Sequence, residues 1–496
     1  MSDGVHAVHS KYAKVNRLLI DGKFVDAASG ETFASINPST GETVARFANA
    51  GAKDVDAAVA AARRAFEGPW SKFKPSERQA ILLKLADLVE REFDDLATMD
   101  TLEMGRPIAS ALMGKSMVTR LIRHFAGAAT WMVHGETPSN SFPAAELFSY
   151  TVKEPVGVVA VIIPWNGPIF SAAWKTSPAL ATGCTVVLKP SEEASLSSIR
   201  FGELCLEAGV PPGVVNVVTG AGATGAALSA HADVDKVTFT GSCETGQRII
   251  AASAPTIKRV TLELGGKSPN IIFADADLDL AVPGSALGIF NNSGQVCSAG
   301  SRIFVERKIH DEFVARLAAY GKTMRIGDSL DSATQIGPLV SEKQLGRVTS
   351  YLDLGPREGA RLVSGGERLT DGALAKGFFV PPTVYADVAD DMRIAREEIF
   401  GPVACVFPFD SFDEVIKRAN DTNFGLAAGV WTRDITRAHA AIKRLRAGSV
   451  WVNHYQAMDP SMPFGGYKMS GYGREGGIEH IASYLNTKGV WIRTAQ

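Results

Sequence analysis

A chain of 496 residues is longer than one hydrophobic core organises, so more than one folding unit is expected. With 46% hydrophobic and 21% charged residues and a formal net charge of -2, it has no broad basic field to favour nucleic acid or a membrane surface. No apolar run is long enough to span a bilayer.

The first residues, 1–14, are mixed polar and contain no apolar signal core, so the cytoplasm is the expected compartment. The stretch to about Met132 reads as an opening strand followed by helices. Ser76 and Gln79 have the spacing of a capping box, with Ser76 as N-cap. Behind them Ile81, Leu82, Leu85, Leu88, Val89, Phe93 and Leu96 recur at helical spacing, which indicates packing.

From Pro155 to Leu264 short β-branched runs alternate with helix-compatible segments. The strand candidates are Val156–Ile163, Thr185–Leu188, Val214–Val218, Lys236–Thr240 and Arg259–Leu264. The helix candidates are Ile169–Ala181, Leu196–Ala208, Thr224–Ala230 and Thr245–Ala254. This alternation implies βαβ units on a parallel sheet, whose ligands sit beyond the carboxyl ends of the strands. A second alternating region runs from Gly266 to about Asn453. Its strand candidates include Arg302–Val305, Val403–Phe407 and Gly448–Val452. Its helix candidates include His310–Arg325, Phe412–Ala419 and Ile435–Leu445. The tail Tyr484–Ile492 reads as a lone strand that needs an edge, either on another subunit or on a hairpin near Ser149–Lys153.

The five cysteines are odd in number and form no Cys-x-x-Cys pair, so neither a disulfide framework nor a zinc site is expected; no metal is. Cys184, Cys205 and Cys405 have apolar neighbours and read as structural. Cys297 differs. It lies in Asn292-Ser293-Gly294-Gln295-Val296-Cys297-Ser298-Ala299-Gly300, a small, polar and closely approachable loop. Glu263 ends a strand and is followed by Gly265 and Gly266; a carboxylate there could be a solvent-facing charge or a general base on water. Asn166 follows the first apolar run and could be a turn residue or an oxyanion donor. Lys189 and Glu192 follow the next run and suit ribose hydroxyls, though each alone is a surface charge. Gly241-Ser242 opens a strand-to-helix junction of the kind that accepts phosphate, without a strict G-x-G-x-x-G fingerprint.

Seven segments together resemble the aldehyde dehydrogenase superfamily. They are Pro164-Trp165-Asn166, Lys189-Pro190-Ser191-Glu192, Phe239-Thr240-Gly241-Ser242, Glu263-Leu264-Gly265-Gly266-Lys267-Ser268, Gly294-Gln295-Val296-Cys297, Glu398-Ile399-Phe400-Gly401-Pro402 and Pro463-Phe464-Gly465-Gly466-Tyr467-Lys468. They occur in the family's order and cover about Asn37 to Lys488.

The resemblance implies an α/β fold with a Rossmann-type cofactor domain, a second α/β catalytic domain and small oligomerisation strands. Residues 1–139 and 156–264 would bind the dinucleotide, 265–462 would form the catalytic domain, and 140–155 with 478–496 would mediate a homodimer or homotetramer. It implies NAD(P)-dependent oxidation of an aldehyde to an acid, through a thiohemiacetal and a thioester. Cys297 would be the nucleophile and Glu263 the base for the deacylating water. Asn166 and the Cys297 backbone N–H would form the oxyanion hole, with Lys175 near the nicotinamide. NAD would be held by Ile162, Trp165, Lys189, Glu192, Gly225, Gly241, Ser242, Gly246, Leu264, Glu398 and Phe400. Glu192 favours NAD, and Lys189 leaves some NADP use open. The substrate tunnel would include Gly167, Ser171, Trp174, Asn291, Val296, Ser298, Met458 and Phe464. Gly167 and Asn291 stand where many relatives carry aromatic rings, which implies a wider or more polar tunnel. The sequence names no particular aldehyde. A catalytically silent relative would be expected to lack Cys297 or Glu263. An acylating relative that passes its thioester to coenzyme A lacks the base, and a cysteine hydrolase leaves the ribose and phosphate segments unexplained.

Overall fold

The computed structural model describes residues 15–143 and 145–494. The N-terminal stretch read as lacking a signal core, residues 1–14, lies outside them. Two large sheets organise the chain. The first has eight strands, in the order Gly471–Tyr472, Arg259–Glu263, Lys236–Thr240, Val158–Ile162, Thr185–Lys189, Val215–Val217, Leu18–Ile20 and Lys23–Val25. Its central five strands are parallel. Val158–Ile162 and Thr185–Lys189 are buried at every position, because helices cover both faces of a parallel sheet and no side of these strands meets water. The remaining pairings are antiparallel.

The second sheet has seven strands, in the order Arg361–Ser364, Thr383–Ala386, Val403–Phe409, Arg302–Glu306, Pro269–Ile272, Ala427–Trp431 and Ser449–Val452. All its pairings are parallel except the edge pair Arg361–Ser364 with Thr383–Ala386. The Cys297 loop joins the helix Leu278–Phe290 to the strand Arg302–Glu306. It therefore lies outside an amino end of this sheet, facing the carboxyl ends of the first.

The α/β reading of the sequence holds. Lys236–Thr240 and Leu196–Ala208 form over the predicted residues, and the other strands and helices named above shift by one to a few residues at their ends. The first cap differs. The helix runs Pro75–Arg91 with Lys74 as N-cap and Pro75 at its first position, and Glu77 accepts the Lys74 N–H at 2.7 Å. Ser76 is thus inside the helix, because Pro75 has the fixed φ of a first helical residue and moves the start upstream. The tail strand, Leu485–Arg493, pairs antiparallel along its whole length with Leu147–Pro155 of the same chain. The edge it uses is therefore a single strand of the same chain, one that contains Ser149–Lys153.

Candidate functional site

The carboxyl ends of the parallel strands carry the segments singled out from sequence. Pro164–Asn166 follows Val158–Ile162. Lys189–Glu193 ends and follows its strand. Thr240–Ser242 and Glu263–Gly265 do the same. Two cavities open there. One, of about 450 Å³, is lined by Asn166, Lys175, Glu263 and Cys297, and by all eight tunnel candidates: Gly167, Ser171, Trp174, Asn291, Val296, Ser298, Met458 and Phe464. The other, of about 430 Å³, is lined by Ile162, Trp165, Lys189, Glu192, Gly225, Gly241 and Ser242. Pro164 and Thr240 belong to both walls, so the two spaces meet at the sheet edge.

The Cys297 loop is held in an unusual conformation. Asn292, Ser293 and Gly294 are all left-handed, at φ 51°, 55° and 72°. For a non-glycine residue this costs on the order of 1–3 kcal/mol and persists only when the surroundings enforce it. Here they do. Ser293 Oγ donates to the Gly337 carbonyl at 2.8 Å, and Gln295 Oε1 accepts the Val340 N–H at 2.9 Å. The Gln295 carbonyl accepts from Asn166 Nδ2 at 2.9 Å and from Asn292 Nδ2 at 3.3 Å. Gly294 is obligatory, since a Cβ would overlap the Gly401 carbonyl.

Cys297 is half-buried with a free thiol. Burial, then the Glu263 and Glu398 charges, push the thiol up to about 12, against the Ser298 backbone N–H. Glu263 is buried, and neither of its carboxylate oxygens has a hydrogen-bond partner. Burial and the Glu475 charge push it well above the usual carboxylate range, against Lys175 and Arg474. A carboxyl left unpartnered at a cavity wall, with its proton affinity raised, can take a proton from an arriving molecule once it is ionised. The glycines around it have steric causes. A Cβ on Gly266 would lie 2.6 Å from the Cys297 carbonyl oxygen, and one on Gly465 would lie 2.6 Å from Glu263 Oε1.

Lys175 lies on the helix Pro168–Thr182 and is buried. Its Nζ donates to Thr238 Oγ1 at 3.1 Å and forms an ion pair with Glu475. Glu475 also lines the reaction cavity, and sequence reading missed it. It is brought in by a single backbone bridge to Phe464, from a Gly-rich stretch with no strand pattern. The only available signal was its position eleven residues after Phe464.

Four cofactor candidates do not line the second cavity. Gly246 packs its helix against Leu264, where a Cβ would lie 2.9 Å from the leucine methyls, and Leu264 belongs to the core beside it. Glu398 accepts the Gly266 N–H at 2.9 Å behind the catalytic loop, and burial pushes it to about 7. Phe400 meets Trp165 edge-on, with ring centroids 5.4 Å apart.

The second cavity fits a dinucleotide. Lys189 Nζ sits 3.8 Å from Glu192 Oε2 at its mouth. Ser242 caps the helix Cys243–Ser253, accepting from the Thr245 N–H at 3.2 Å, so the positive end of that helix faces the cavity. A Cβ added at Gly222, also in the wall, would meet nothing, which marks open space beside the backbone. Among the described residues no three His, Cys, Asp or Glu side chains converge on a metal position, and no helix is long and apolar enough to cross a membrane.

A family model for the aldehyde dehydrogenase family matches residues 24–490. An aldehyde dehydrogenase of Enchytraeus buchholzi is 49% identical over 483 residues, covering 96% of each chain. The human mitochondrial aldehyde dehydrogenase is 47% identical, over 97% of this chain and 92% of its own. The structure of a Bacillus cereus aldehyde dehydrogenase in complex with NAD+ superposes with a TM-score of 0.95 at 47% identity, covering 99% of both chains. With a cysteine, a carboxylate and an amide gathered in one cavity beside a dinucleotide-shaped one, the chain belongs to the aldehyde dehydrogenase family and is an oxidoreductase acting on the aldehyde group.

Proposed function

We propose that the chain oxidises an aldehyde to a carboxylic acid with NAD, through a thioester on Cys297. The observation that carries the reading is the shared wall of the two cavities at Pro164 and Thr240, with Cys297, Glu263 and Asn166 on one side of it. NAD would be held by Lys189 and Glu192 at the ribose and by Ser242 and the helix it caps at the phosphates, as the B. cereus NAD+ complex of the same fold supports.

The Cys297 sulfur adds to the aldehyde carbon and its thiol proton is released. The carbonyl oxygen becomes an alkoxide, held by the second N–H of the Asn166 amide and by the Cys297 backbone N–H. The oxidised nicotinamide, when bound, accepts the hydride that leaves this carbon. Cys297 then carries the acyl group as a thioester. Glu263 takes a proton from water, the water oxygen attacks the acyl carbon, and the Cys297 thiolate leaves. Lys175 pairs with Glu475 in the cavity wall beside Glu263.

The division into residues 1–139 with 156–264, 265–462, and 140–155 with 478–496 is proposed on the same basis, with the short strand Gly471–Tyr472 returning to the first sheet. A homodimer or homotetramer is proposed from the two-stranded sheet of Leu147–Pro155 and Leu485–Arg493, which exposes Phe148, Trp491 and Ile492. A cytoplasmic site is proposed from five unpaired cysteines, in keeping with a reducing compartment. The test of the activity is NADH formation across an aldehyde panel, with Cys297→Ala beside the wild type. Activity in wild type and none in Cys297→Ala is expected; full activity in the variant ends the reading.

A further inference from the structure

The reaction cavity does not end at the tunnel residues. Its lining also takes in Phe93, Ala97, Ala111 and Gly114, here called the arm of the cavity. These are apolar and mostly small. At Gly114 a Cβ would already lie 3.4 Å from Phe93 Cζ, so a larger residue there would close the arm.

Two cations line the cavity; Lys175 is paired with Glu475, and Arg106 is the other. Arg106 is half-buried and lines the cavity. Its Nε donates to Ser110 Oγ at 3.2 Å. Among the described residues Nη1 and Nη2 find no acceptor, and no carboxylate comes within ion-pair distance. Asp100 also lines the cavity. Its Oδ2 accepts the Ile169 N–H at 3.4 Å, and its Oδ1 is buried without a partner. Burial pushes Asp100 up to about 7, against the Arg106 charge, and the two form no ion pair. Arg106, Asp100, Ile169, Asn166 and Cys297 line one cavity, so a molecule whose aldehyde sits on Cys297 shares that space with the guanidinium.

We propose that Arg106 is the anchor of an anion-binding arm, and that the aldehydes this chain takes best carry a carboxylate at the end remote from the carbonyl. The assignment rests on the aldehyde-oxidising reading and sets the substrate class for it. A cation held out of bulk water with two open donors is poorly solvated. A carboxylate matches the planar fork of guanidinium donors and restores that solvation. A plain alkyl chain fills the apolar walls and leaves Arg106 as it was.

The test compares a series of ω-oxo carboxylates with the unbranched aldehydes of equal length, and with the methyl esters of the same oxo acids. For the best-fitting length, kcat/KM for the acid should exceed that of the ester and the plain aldehyde by about 10–100-fold, the usual worth of a charged hydrogen-bonded contact. Arg106→Gln should remove that preference through KM for the acid, leaving the plain aldehyde little changed. Arg106→Lys should keep part of it. Equal kcat/KM for acid, ester and aldehyde at every length in wild type overturns the proposal, and needs no variant to fold. An equal fall for all three substrates in Arg106→Gln overturns the assignment to Arg106. If no aldehyde yields NADH, the activity itself is wrong; plain aldehydes oxidised without charge preference refute only the arm.

Discussion

Asn166 Nδ2 donates to the Gln295 carbonyl at 2.9 Å, across the gap between the two sheets and two residues before Cys297. One N–H of the amide thus fixes the nucleophile's loop, and the other is free for the alkoxide. Asn166→Ala removes both functions. The expected outcome is a loss of about 10²–10³ in kcat, the usual effect of deleting one oxyanion donor. A loss smaller than about tenfold, measured at saturating aldehyde, would remove Asn166 from the chemistry.

Glu263 has no hydrogen-bond partner, and Gly465 is the residue that leaves it room. In Glu263→Gln, a burst of NADH about equal to the enzyme concentration should survive while steady turnover falls by about 10²–10⁴, the range for a lost general base. Gly465→Ala should do the same more weakly, because its Cβ pushes the carboxylate away without removing it. Rapid-mixing absorbance separates the two phases. A lost burst with normal turnover is incompatible with a deacylation role.

The thiol of Cys297 is raised to about 12 by burial and by the Glu263 and Glu398 charges. The thiolate is the reactive form, so its fraction grows about tenfold per pH unit below that value. Alkylation by a neutral haloacetamide, taken as wild type minus Cys297→Ala, should climb from pH 7 to about pH 10 without a plateau. Added NAD+, whose nicotinamide is cationic, should accelerate it at neutral pH. A plateau near neutrality in the free protein would contradict the electrostatics of the site.

Glu192 is paired loosely with Lys189, at 3.8 Å, on the rim of the second cavity. A 2′-phosphate would meet the Glu192 carboxylate and would have to draw Lys189 away from it. NAD should therefore give the higher kcat/KM, and Glu192→Ser should narrow the gap by about tenfold or more, as befits one charged contact. A wild-type preference for NADP would refute this.

What was legible in the sequence follows a physical line. Lys236–Thr240 stands out because three of its five residues are β-branched, which suits a buried parallel strand, and its ends are marked by Asp235 and Gly241. Cys297, Glu263 and Asn166 were found because each breaks its context: polar in an apolar strand end, or a thiol among glycines. Ala427–Trp431 is not legible, because three of its five residues are alanine or glycine, which carry no strand signal. Glu475 and Arg106 are hidden for a different reason. Each sits in a short turn-like segment, Arg474-Glu475-Gly476 or Gly105-Arg106-Pro107, where a charge is ordinarily solvated. Only long-range packing turns those two charges inward.

The pairing of Leu147–Pro155 with Leu485–Arg493 has a consequence for synthesis. Lys153 Nζ reaches Thr487 Oγ1 across a separation of 334 residues. At about 5–20 residues per second, the earlier strand leaves the ribosome roughly 15–70 s before its mate exists. Throughout that wait Phe148, Tyr150 and Val152 present an unsatisfied backbone edge, a template for mispairing with a neighbouring nascent chain. The later strand closes it, so a chain that stops shortly before Leu485 holds every strand of the two large sheets and leaves the aggregation-prone edge open.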